Sequence, residues 1–462
     1  MGQKKLIRNA RAIVSCDALD TVYYDSDVLI EGFQIKQIGK NLPSEGCEII
    51  DGSSYFIYPG LVNTHHHFFQ TFVRNLITID YPNLLVVDWL DLIYPIFAQI
   101  DSEVIYYSSL TAMADLLKHG CTTAFDHQYC YTRKTGKSAV DRQMEAASAL
   151  GIRYHAGRGC NTLEKSKGST IPDEMLETTD EFLKDCERLI KAYHNPGPNS
   201  MSQIVLAPCQ PINSYEETFT ESVALARKLG VRLHTHLGEG ENPIMLERMG
   251  KRTLTWAQEI GFTGKDVWYA HGWELQPDEY AVMGKSGTAL SHCPAPAVLG
   301  GFPIIDIPAM QRAGMTVSLG CDGSATNDSS NLLDSLRMAY LAQSYHSKIR
   351  EGAPSSYEML KIATVNGAKT LGREDIGSLE VGKAADLFAI DVSRLELAGT
   401  LHDPKNLLAR CGATGEAVLT MVGGQVVFQD GRLLKVDEQQ LACMAEEACT
   451  ERLRTQFPTI FG

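Results

Sequence analysis

Three consecutive histidines, His65-His66-His67, follow Leu61-Val62 and Asn63-Thr64 in the run PGLVNTHHHFFQT. Side chains alternate faces along an extended chain, so His65 and His67 share one side and His66 points away. Two imidazoles on one side of a strand end can reach one metal ion. Further along, HLGE supplies His236 and Glu239, AHG supplies His271, SHCP supplies His292 and CDG supplies Asp322. Zinc, or another divalent ion of similar preference, accepts imidazole nitrogen and carboxylate oxygen. His65, His67, His236 and Asp322 are the candidate ligand set, with a position left for water. A divalent ion lowers the pKa of such a water to about 7 and leaves a proton to be moved. Glu239, about one turn beyond His236, is the candidate proton carrier; an exposed loop carboxylate beside Glu241 is the plainer alternative. Asp322 can bind metal and also accept a proton, and His271 can polarise the carbon under attack. His234 is read as a supporting or core histidine, and His292 as a substrate-side residue or else a core one.

The fold must carry these residues to one place. Between residues 58 and 375, short apolar runs such as CTTAFDH, QIVLAPC, VRLHTHLGE and MTVSLGCDG alternate with amphipathic segments. In SEVIYYSSLTAMADLLKHG, Asp101 is the expected N-cap, Glu103 sits in the first turn and Gly120 closes the segment. About eight such β-then-α units predict a (β/α)8 barrel, whose strand C-termini converge on one catalytic face. The candidate residues stand at those strand ends. DVLIEGFQIKQIG near the start and AVLTMVGGQVVFQDGRLL near the end read as hairpins. The prediction is an α/β chain: a TIM-type barrel over 58–375, plus a small composite β-sandwich domain built from both termini, 1–57 and 376–462.

Composition narrows the partners. The 462 residues are 44% hydrophobic and 21% charged, ordinary for a soluble globular enzyme. A net charge of -14 argues against nucleic acid, which needs clustered Lys and Arg. The opening MGQKKLIRNARAIV has no apolar signal core and no stretch is apolar enough to span a bilayer, so a cytoplasmic location and no membrane partner are expected. The 12 cysteines include no CxxC pair, which removes Cys-rich zinc frameworks. Pro208-Cys209 has no second cysteine at the right spacing, so the cytidine-deaminase zinc signature fails.

PGLVNTHHH, HLGE, AHG, SHCP and CDGSATND, in that order, resemble the amidohydrolase superfamily, in its branch of nucleobase and triazine deaminases and chlorohydrolases. GSLEVGKAADLFAID resembles that family's C-terminal signature, and the match spans essentially the whole chain. NTHHHFFQTFVRN with VDWLDLIYPIFAQID, GCTTAFDHQYCY, GIRYHAGRGC and APCQP are similar to the 8-oxoguanine deaminases. The resemblance implies hydrolytic removal of an exocyclic amine, 8-oxoguanine giving urate and ammonia. Deamination of a pterin such as isoxanthopterin, of guanine or isoguanine, or triazine amino- or chlorohydrolysis, are alternatives on the same metal site. No carbamylated-lysine site is evident, which implies one divalent ion, Zn2+ first and Fe2+ second. The resemblance also implies a homo-oligomer, a small heterocyclic substrate, and substrate contact for Gln70, Trp89 and Arg158. An amide and a guanidinium can pair with ring N–H, N and carbonyl groups, and an indole can cover a flat face. One departure stands out: in HCPAPAVLGGFP, Pro296 and Ala297 occupy positions where the family usually carries Ser and Asn. The pairing on that side of the substrate must differ.

Overall fold

Eight parallel strands alternate with helices through the middle of the chain: Leu61–Asn63, Cys121–Gln128, Arg153–Cys160, Ser202–Pro208, Arg232–Leu237, Val267–His271, Ala289–His292 and Val317–Leu319. The computed structural model describes residues 4–76, 86–347 and 352–458. Each strand pairs with the next in sequence, and the parallel ladders leave both faces buried, as the near-continuous apolar runs require. The ring closes between its first and last members. Thr64 N–H donates to Leu319 O (3.0 Å), and Asp322 N–H donates to His65 O (3.1 Å). This closure brings together two strand ends that lie at opposite ends of the barrel sequence.

Below that rim the barrel is filled, not hollow. Val62, Phe125, Val205 and Trp268 meet in one buried cluster, contributed by different strands. Helices wrap the outside. Ser102–Lys118 starts where the Asp101 carboxylate accepts the N–H groups of Glu103 and Val104, the cap expected from sequence.

The two chain ends meet in a second, mixed sheet of nine strands. Lys4–Val14 lies between Val22–Glu31 on one side and Cys47–Asp51 and Tyr55–Pro59 on the other. Tyr55–Pro59 pairs antiparallel with Leu387–Asp391, which joins the N-terminal strands to the C-terminal ones. The sheet curls over Ile13, Ile30, Ile57, Leu387 and Met421. Its two hairpin tips touch: a Cβ at Gly424 would stand 2.1 Å from Gly32 O, so only glycine fits that turn. Tyr55–Pro59 then runs through Gly60 straight into the first barrel strand, which ties this sheet to the site.

After Arg432–Leu433 the chain leaves the sheet. Helix Glu438–Cys449 packs on barrel helix Ser102–Lys118, with Lys118 paired to Glu438 and Arg452 to Asp101 (2.9 Å). Among the described residues, no helix is long and apolar enough to cross a membrane.

Candidate active site

The first strand ends at Asn63, and the next turns carry His65 and His67 inward. His236 arrives from the fifth strand and Asp322 from just beyond the eighth. The ring nitrogens of His65, His67 and His236 lie within 4.8 Å of one another. Asp322 Oδ1 is 3.4 Å from Nε2 of both His65 and His67.

The protons on these rings are fixed by what lies behind them. His67 Nδ1–H donates to His127 O (2.9 Å), and His236 Nδ1–H donates to Cys209 O (2.7 Å). His234 gives its Nδ1–H to Trp268 O (3.0 Å), which leaves its Nε2 to accept Nδ1–H of His65 (3.0 Å). His234 is therefore the bracket behind His65. All three candidate ligands turn an unprotonated Nε2 inward, and the Nε2 of His65 is buried without a hydrogen-bond partner. Burial holds the three imidazoles below the ordinary histidine range. His66 faces the other way and meets Ser330 Oγ at 2.9 Å.

Two residues here break backbone preference. His271 has φ 75° and Asp322 has φ 66°, both in the left-handed region. Such strain, of order 1–3 kcal/mol each, persists only where the surroundings impose it. Burial pushes the Asp322 carboxyl up, but the facing His271 and His67 and the Gly323 N–H outweigh it, and the net shift is down. His271 is pushed down to about 4, mainly by burial. Glu239 goes the opposite way: burial, then the carboxyls of Asp322, Glu241 and Glu274, hold it well above the usual range. Its Oε1 lies 3.4 Å from His271 Nε2, and its Oε2 accepts from Gln210 Nε2 (3.3 Å). Two carboxyls in one site, driven apart in proton affinity, are suited to one acid role and one base role.

A cavity of about 290 Å³ opens over these groups. His67, His236, Glu239 and Asp322 face it, Gln70 and Trp89 line it, and Trp273, Pro296 and Phe302 form an apolar side. Trp273 and Phe302 stack with ring centroids 4.3 Å apart. A larger hollow of about 710 Å³ lies beside helix Ser102–Lys118 and includes none of the candidate ligands. The smaller cavity is the one with chemistry in its wall.

The amidohydrolase family profile matches residues 56–427. The chain belongs to the amidohydrolase family. This amidohydrolase is 48% identical over 445 residues to the hydroxydechloroatrazine ethylaminohydrolase of Pseudomonas sp. (strain ADP), covering 94% of this chain and 92% of that protein. It is 35% identical over 437 residues to the 8-oxoguanine deaminase of Pseudomonas aeruginosa, covering 93% and 95%. A variant of the atrazine chlorohydrolase TrzN from Arthrobacter aurescens TC1, complexed with zinc and atraton, superposes with a TM-score of 0.92 at 30% identity, covering 96% and 99%. The amidohydrolase is thus a hydrolase of C–N bonds, of aminohydrolase or deaminase type.

Two sequence-derived substrate contacts need correction. Arg158 is fully buried and does not line the cavity. Its Nε pairs with Asp185 (2.8 Å), its terminal nitrogens pair with Glu177 (2.7 Å), and the guanidinium lies 3.6 Å over the Tyr131 ring. A guanidinium engaged on two acids and an aromatic face has nothing left for substrate. His292 is also buried off the cavity wall, with burial and His271 pushing it down to about 3. Gln70 does reach the cavity, and its Oε1 accepts the Ala325 N–H (3.3 Å). Sequence reasoning placed Gln210 at the end of the fourth strand without giving it a role, and passed over Trp273. It gave Glu241 no role of its own; the residue is buried, and nothing local in HLGEGE marks it as such.

Proposed function

We propose that this amidohydrolase is a divalent-cation-dependent aminohydrolase that removes an exocyclic amine from a small flat heterocycle bearing a ring carbonyl. One observation carries the reading: unprotonated Nε2 atoms of His65, His67 and His236 converge with Asp322 beneath a cavity whose wall holds Glu239. The donor set, three imidazoles and one carboxylate, fits Zn2+, with Fe2+ as the alternative. When bound, such a cation supplies Lewis acidity that activates water near neutral pH.

The chain's own groups then have distinct work. Asp322, held ionised, accepts a proton from the attacking water. Glu239, its proton affinity raised, gives a proton to the ring nitrogen while Gln210 steadies its other oxygen; the proton taken up by Asp322 then goes to the departing amine, and the new hydroxyl returns its proton to Glu239. His271, held neutral, faces Glu239 and polarises the carbon under attack. Water adds to the ring carbon, the C–N bond breaks, and a ring carbonyl remains. Gln70 and Trp89 hold the plane of the ring.

Conversion of 8-oxoguanine to urate and ammonia is the purine form of this reaction, supported by the strand-end motifs and by the 8-oxoguanine deaminase relative. A second reading is release of an alkylamine from a hydroxylated triazine. The side formed by Trp273, Pro296 and Phe302 favours it, because its ring surfaces suit an N-alkyl group. The ethylaminohydrolase relative supports it as well. Steady-state assays of zinc-loaded protein would offer 8-oxoguanine, guanine, isoguanine, isoxanthopterin and an N-ethylamino hydroxytriazine, and read ammonia and ethylamine. Ammonia from 8-oxoguanine supports the first reading and ethylamine from the triazine the second. No amine from any of them overturns both.

A further inference from the structure

We infer that Glu241 is a positioning residue for Glu239: its buried carboxylate clamps the turn that carries the proton-moving acid. The inference rests on the proton-carrying role given to Glu239 above. Both oxygens of Glu241 are occupied by main chain. Oε1 accepts the Gly238 N–H at 2.6 Å, and Oε2 accepts the Glu239 N–H at 2.7 Å. The residue is only 1% exposed.

The turn needs such a clamp. Gly238 (φ 73°) and Gly240 (φ 109°) flank Glu239 with left-handed backbone, so the segment is neither strand nor helix and has no ladder to fix it. The far side of the turn is held by the sixth strand's exit. Glu274 N–H donates to Gly238 O (3.1 Å), and a Cβ at Gly238 would approach Gly272 Cα to 3.1 Å. Glu241 supplies the hold from the other side, by charge-assisted bonds to two successive N–H groups. Glu241 does this in the company of two further carboxyls, Glu239 and Glu274. A buried carboxylate kept in that company works against stability, and what it secures is the direction of the Glu239 side chain.

Glu241→Gln tests this with little change of shape, since the new amide NH2 meets an N–H donor and breaks one of the two contacts. Turnover is read as amine release from 8-oxoguanine or from the N-ethylamino hydroxytriazine, whichever the wild type hydrolyses. E241Q should lose roughly 10- to 100-fold in kcat, with KM within about threefold and metal content unchanged. The E239Q/E241Q double variant should be no slower than E239Q, because Glu241 acts only through Glu239. Hydrogen exchange on the full protein should show faster exchange across residues 238–241 in E241Q. Should E241Q fail to fold, E241D, which keeps the charge but reaches only one of the two N–H groups, is measured with the same expectations. Unchanged kcat, a loss confined to KM or metal content, or losses that multiply in the double variant each overturn the inference. If E239Q itself turns over like the wild type, the reading of Glu239 fails; if E239Q is slow and E241Q is normal, only the clamp fails.

Discussion

The Nε2 atoms of His67 and His236 stand 3.1 Å apart, and each ring has already given its Nδ1 proton to a main-chain carbonyl. Two lone pairs at that distance repel, and burial denies either ring a second proton. A cation between them turns the repulsion into two bonds. His67→Ala should therefore lower bound divalent metal well below the wild-type content, measured by elemental analysis after dialysis. Full metal content in that variant would remove His67 from the ligand set.

Glu239→Gln keeps the side-chain shape and the contact with Gln210 but cannot carry a proton. Metal content should stay near that of the wild type while turnover drops by roughly 10² to 10⁴. The check is single-substrate kinetics on metal-matched samples. Wild-type turnover in the variant would exclude Glu239 from the chemistry.

His234→Ala removes the acceptor that orients His65 without touching a candidate ligand. Loss of such a bracket typically weakens metal binding by about 10- to 100-fold. Competition against a chromophoric chelator would measure it. An affinity within threefold of wild type would show that His65 holds its orientation without His234.

Asp126 lies near the end of the second barrel strand, fully buried, where it accepts hydrogen bonds from the Phe68 N–H and from Gln143 Nε2 (2.7 Å). Burial pushes its carboxyl up to about 7. In the unfolded chain it titrates at about 4. Between those values the folded protein holds a proton that the unfolded chain has lost, so stability falls as pH rises through the window and levels off above it. Asp126→Asn should remove that component. Urea midpoints at a series of pH values would show the wild type losing ground to the variant between about pH 4 and pH 7. A constant difference across the window would contradict the assignment.

Arg158→Met tests a structural assignment against a substrate one. It leaves Glu177 without its guanidinium partner and Asp185 with only Arg188. Breaking a buried pair by removing one partner costs about 3–5 kcal/mol, so denaturant unfolding should shift strongly. KM of the folded variant should stay within a few-fold of wild type. A large rise in KM with stability retained would return Arg158 to the substrate.

The strand ends were legible because a strand announces itself through adjacent residues: an apolar run, an alternation of faces, a polar stop. That local grammar marked all eight barrel strands and placed His65, His67, His236, His271 and Asp322 at their C-terminal edges. The pairing of the two chain ends in one sheet was legible for the same reason, since both ends carry hairpin signals. Residues after Leu433 were not separable from that sheet by composition alone, and they pack on the barrel instead.

What stands opposite a residue across a closed ring is not a local property. His65 meets His234 from 169 positions away, and Gln70 meets Ala325 from 255. Glu241 is buried and Arg158 is spent on two acids because of neighbours that close around them after folding. The sequence by itself determined the barrel, the edge that carries the chemistry and the residue types gathered there, through interactions a few residues long. Only the tertiary structure decided which of those residues face one another, which are engaged from behind, and which are walled off. Burial and hydrogen-bond partners are set by the whole ring, and they settle where each proton sits.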